Sequence, residues 1–135
     1  MFDRLKESKI VFFLFMILLC SCANLPKQEE GCVSRTKFSM SDFPLTHDAF
    51  NINKPLKGES VSFFTKLSIP EIFKFYRKEF RKREICEDTN LASMTESTFG
   101  IVFNDAKNQQ IVIQGVDFAY SSQQDSRVIS ARIEE

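Results

Sequence analysis

Ten consecutive residues, Ile10 to Leu19, carry no polar side chain, and they limit what the rest of the chain can become. As a helix they would be apolar on every side, which only a large protein can hide. They would span about 15 Å, whereas a bilayer core requires roughly 20 residues of helix. Before them Arg4, Lys6 and Lys9 outnumber Asp3 and Glu7; after them come Cys20, Ser21, Cys22 and Ala23. A basic lead, a short oily run and small residues at its end have the architecture of an export signal. A globular fold must then be built from the residues beyond this signal.

The stretch Leu19-Cys20-Ser21-Cys22 resembles the lipobox of bacterial lipoproteins, in which a branched apolar residue stands three places before an acylated cysteine and a small residue just before it. Leu19 takes the first place, Ser21 the small place and Cys22 the acylated place. Cys20, in the second place, departs from the commonest residues there. Were Cys20 the modified residue, Leu19 would stand where a small side chain is required. The resemblance covers about the first 23 residues. It implies a signal peptide at 1–21, a lipidated tether at 22–31 and a small domain at 32–135 facing the periplasm. It further implies a diacylglyceryl group and an amide-linked acyl chain of the palmitate type on Cys22. A single chain holds a protein only reversibly, whereas several make a stable anchor. An Asp after the cysteine would imply retention at the inner membrane; Ala23 stands there, which implies the outer membrane. An ordinary signal or a short uncleaved anchor is the alternative.

The chain from Cys22 onward has 114 residues, one domain's worth. It carries 15 Lys and Arg against 16 Asp and Glu. That balance argues against nucleic acid, which asks for a strongly basic face. Eleven of the 15 phenylalanines lie beyond the signal and can supply a core. Residues 23–31, "ANLPKQEEG", are polar and aperiodic and read as a tether of at most about 30 Å.

With Cys20 removed and Cys22 acylated, Cys32 and Cys86 remain. In an oxidising compartment an even remainder of two reads as one disulfide. Two separate buried thiols are the alternative. A metal site is disfavoured, because neither cysteine has a short ligand spacing to the other or to His47.

Residues 31–57 read as an irregular lead-in with room for one short strand. In "SVSFFTKL", Val61, Phe63, Thr65 and Leu67 alternate with Ser62, Phe64 and Lys66, which predicts a strand. Ser68-Ile69-Pro70-Glu71 forms a capping box with Pro in the first turn. Ile69, Ile72, Phe73, Tyr76 and Phe80 then make one apolar stripe, predicting a helix that ends near Glu84. Three strands are expected after it, in "STFGIVF", "QIVIQGVDFAY" and "RVISARI". The change of apolar register across Gly115 reads as a bulge. The expected fold is α+β, a single helix packed on an antiparallel sheet in the order β-α-β-β-β.

Chemistry is sparse. The single histidine, His47, has Asp48 beside it, but no nucleophile has a strand-turn-helix setting. The four glycines stand singly, so no phosphate cradle forms and no cofactor is implied. The helix carries Lys74, Arg77, Lys78, Arg81 and Lys82, a possible docking strip; a solvated outer face with Glu–Lys pairs is the bland reading. Two functional readings result, neither of them an enzyme. One is a lipid-anchored envelope protein, a binding or structural interaction module with a protein partner in a membrane-associated assembly. The other is a carrier or sensor of a small apolar or acyl ligand, held in a hollow lined by Phe73, Tyr76 and Phe118.

Overall fold

A computed structural model of the chain describes residues 31–55, 58–118 and 125–134. The signal, the lipobox with Cys22, and the tether up to residue 30 lie outside the described residues, as does Tyr120. One compact unit spans Val33–Glu135.

Among the described residues, seven antiparallel strands, one α-helix and a short 3-10 turn at Met40–Asp42 make this unit, an α+β fold around an open sheet. In chain order the strands and the α-helix are β1 (Phe50–Asn53), β2 (Ser60–Thr65), α1 (Ile69–Lys82), β3 (Cys86–Glu87), β4 (Ser93–Met94), β5 (Thr98–Asn104), β6 (Gln110–Asp117) and β7 (Arg127–Glu134). Their order across the sheet is β1-β2-β7-β6-β5-β3, with β4 also lying against β5. The expected β-α-β-β-β series is the centre of this arrangement. β1 is the short strand of the lead-in, while β3 and β4, of two residues each, are additions to the expected series.

The strands form where alternation puts every second side chain inward. Val61, Phe63 and Thr65 of β2 are buried, as are Phe99, Ile101 and Phe103 of β5, and Ile129 and Ala131 of β7. The stripe of α1, Ile69, Ile72, Phe73, Tyr76 and Phe80, lies buried against this face. Phe38, Met40 and Phe43 of the lead-in cover the rest of it. Phe80 stacks on Phe103 with ring centroids 4.2 Å apart and meets Phe38 at 5.3 Å. The aperiodic lead-in is therefore part of the core.

Both ends of α1 are specified locally. The Glu71 carboxylate accepts from the N–H (2.8 Å) and the hydroxyl (2.6 Å) of Ser68. The helix stops at Lys82, slightly before the expected Glu84. There Glu84 N–H donates to the Arg81 carbonyl and Ile85 N–H to that of Phe80, a Schellman closure with Glu84 left-handed at φ 54°. Buried Ile85 and Phe80 supply the apolar contact of that motif.

The bulge expected at Gly115 is absent. β6 pairs continuously, with Gly115 opposite Phe99 on one side and Ile129 on the other. Ile111, Ile113 and Gly115 face inward throughout, while Val116 lies on the outer face. The apparent change of register arises because apolar residues continue on the outer face after the inward series reaches glycine. On that outer face Val116, Val128, Phe64 and Phe50 stand opposite one another across four strands.

Candidate functional site

The exposed side of α1 concentrates charge in an otherwise balanced chain. Between Lys74 and Lys82 stand five cations, all exposed, because the apolar stripe occupies the opposite side of the helix. All five border one shallow groove, whose apolar part is supplied by Pro70, Phe73 and Met94. Met94 is 53% exposed. It reaches the groove because β4 pairs with β5 opposite Phe99, whose ring meets Phe73 edge-on at 6.2 Å.

The five cations are not equivalent. Arg77 forks onto Glu87, with N–O distances of 2.8 and 2.7 Å, and its guanidinium lies 4.3 Å from the Phe73 ring centroid. The bond to Glu87 raises the Arg77 pKa further above its ordinary value. Lys82 pairs with Glu79 at 2.9 Å, and Arg83 reaches the other oxygen of Glu79 at 3.2 Å. These contacts, the Lys82 hydrogen bond foremost, lower the Glu79 carboxyl below its ordinary value. Glu71 is engaged with Ser68, which lowers its carboxyl too. Lys74, Lys78 and Arg81 are left without an ion pair or side-chain hydrogen bond among the described residues. At steps of four and three they form one line along the helix, about 10 Å from first to last. The strip predicted from sequence thus divides into two tied cations and three untied ones.

Cys32 and Cys86 form a disulfide, as expected. Cys86 lies at the start of β3, immediately after the Schellman closure, so the bridge sits by the C-terminal end of α1. The segment beyond Cys32 is held to the same edge. Cys86 N–H donates to the Ser34 hydroxyl (2.8 Å), and that hydroxyl donates to the Asn104 carbonyl. Arg35 N–H donates to the Glu84 carbonyl at 3.0 Å.

The expected hollow does not assemble. Tyr76 is fully buried and Phe73 nearly so, both within the packed layer between α1 and the sheet. Phe118 follows β6 in phase with Val116, on the other side of the sheet, and is 42% exposed. The Tyr76 hydroxyl has no hydrogen-bond partner among the described residues, and burial pushes its pKa well above the ordinary value.

His47 is exposed. Asp48 is directed to other partners, accepting from the Thr65 hydroxyl at 2.6 Å and from Lys66 N–H at 2.7 Å. Burial would raise the Asp48 carboxyl, but these donors lower it overall. Asp105 is a comparable structural carboxylate, 2% exposed and accepting from the N–H groups of Phe38, Lys107 and Gln109. It closes the β5–β6 turn and holds the lead-in to it. Among the described residues no three His, Cys, Asp or Glu side chains gather as a metal site.

Sequence reasoning finds the cations of this face and misses Met94 and Glu87. Met94 sits in a strand too short to show a period, and Glu87 has the composition of a solvated turn around it. No family model, curated protein or solved structure matches the chain.

Proposed function

We propose that this chain is a lipid-anchored protein of the bacterial envelope, held at the outer membrane facing the periplasm, that acts by binding and not by catalysis. In this reading it is a structural or accessory component at the membrane, and the outer face of α1 is its docking surface. The observation that carries it is the line Lys74, Lys78 and Arg81, left unpaired among the described residues while Glu71, Glu79 and Glu87 are each engaged elsewhere. Uncompensated charge concentrated on one face of a neutral domain favours association with an anionic surface. The sequence adds the anchor, Cys22, and a tether short enough to keep the domain beside the bilayer.

Two measurements test the reading. Cys22→Ser should abolish incorporation of labelled fatty acid and release the protein from the membrane fraction. A photocrosslinking group at position 78 should capture envelope components in intact cells, and charge reversal at Lys74 and Arg81 should abolish the adducts. Adducts no more frequent than from a control group at position 107, in the β5–β6 turn, would leave α1 with an ordinary solvated face.

A further inference from the structure

Resting on the binding reading of α1, we propose that what docks there is the anionic phospholipid surface of the membrane to which the chain is tethered. The line Lys74–Lys78–Arg81 would then be a second attachment that lays the domain down in one orientation. Three features converge on this occupant. The line is straight and solvent-facing over about 10 Å, which suits a plane of headgroups better than a single buried carboxylate. Two of the carboxylates beside it are already neutralised, Glu79 by Lys82 and Arg83 and Glu87 by Arg77, while Glu71 and the exposed Glu96 lie toward its Pro70 end. The exposed thioether of Met94 lies beside the line, an apolar group at the level where headgroups meet acyl chains.

The covalent layout supplies the rest. The disulfide fixes Cys32 to Cys86, four residues after the last turn of α1. Only nine residues separate Cys22 from Cys32, a reach of at most about 30 Å. An acyl group on Cys22 would therefore keep the helix within one molecular length of the headgroups. At that range the local concentration of lipid is high enough for three exposed cations, too weak to bind from bulk solution, to remain seated.

Amine footprinting tests this without relying on a variant that fails to fold. The full-length acylated protein is reconstituted into phosphatidylcholine vesicles with and without phosphatidylglycerol. Each lysine is then followed by mass spectrometry during reaction with an acylating reagent. We expect labelling of Lys74 and Lys78 to slow on the order of tenfold in the anionic vesicles. Lys54 and Lys107, on other parts of the unit, should be unaffected, and high salt should remove the protection. Protection only in native envelopes, and not in anionic vesicles, would overturn the proposal in favour of an acidic protein partner. Equal labelling in both vesicle types and in envelopes would overturn it together with the docking reading. Absence of an acyl group from Cys22, read from the mass of the N-terminal peptide, would overturn it as well, since nothing would then hold three weakly binding cations at the headgroups; the docking reading of α1 toward a protein partner would survive that result.

Discussion

Gly115 lies directly beneath the ring of Phe99. A Cβ built on it would stand 2.0 Å from Phe99 Cε1, closer than any real contact. The two residues face each other in the β5–β6 ladder, both inward. The glycine is there for close approach, leaving room for an aromatic ring that also touches Phe73 of α1. Gly115→Ala should destabilise the unit by about 1–3 kcal/mol through forced repacking. Combining it with Phe99→Leu should cost less than the sum of the single changes, read from urea midpoints. Strict additivity would mean the two side chains do not compete for the same space.

Asp105 joins the lead-in to the β5–β6 turn through three backbone donors. Asp105→Ala would leave those N–H groups unsatisfied in a buried place, at a loss of about 2–4 kcal/mol. Burial alone would raise its carboxyl; the N–H groups of Phe38, Gln109 and Lys107 outweigh that and lower it. A folded-state value below the unfolded one means the unfolded chain binds more protons in between. The stabilisation is thus complete above the unfolded value of about 3.9. It disappears as pH falls through the folded value. Urea midpoints between pH 7 and pH 3 should fall more steeply for the wild type than for Asp105→Asn.

Glu84 occupies the left-handed position that ends α1. Glycine adopts this conformation without the steric cost a side chain incurs. Glu84→Gly should therefore stabilise the unit by about 0.5–1 kcal/mol. The ion pair lost with it, to Arg35 at 4.0 Å between exposed side chains, contributes little. A lower melting temperature in the variant would contradict this account of the cap.

The Tyr76 hydroxyl is buried with no partner among the described residues. Removing it relieves an unsatisfied polar group and leaves the ring contacts with Phe43, Phe75 and Phe80 in place. Tyr76→Phe should be neutral or more stable by up to about 1 kcal/mol. A clear loss of stability, measured by thermal unfolding, would indicate a partner for the hydroxyl.

The bridge between Cys32 and Cys86 closes a loop of 55 residues, counted inclusively. Chain entropy puts its contribution at about 4 kcal/mol at most. Reduction, or the double change to Ser, should lower the melting temperature without altering the secondary structure seen by circular dichroism.

How much of this is legible in the residues depends on how long each pattern runs. α1 shows five apolar residues at helical steps and a capping box at its start, so its stripe and its beginning can be read directly. β2, β5 and β7 alternate for six residues or more. β3 and β4, at two residues each, have no period to show. Phe38, Met40 and Phe43 reach the core from coil and a single 3-10 turn, too short for spacing to carry information. Gly115 misleads because an inserted residue and an apolar outer face produce the same string. The cations of α1 are visible, but which of them are neutralised depends on Glu87, ten residues past Arg77 and placed only by the β3–β5 ladder.

The disulfide also decides where mechanical load enters the unit. Traction on the chain ahead of Cys32 passes through the sulfur bridge to Cys86 at the rim of the sheet. It bypasses the stretch that carries Phe38, Met40 and Phe43. A pull from that side would thus strain the edge ladder before it could unpeel the aromatic cover from the interior.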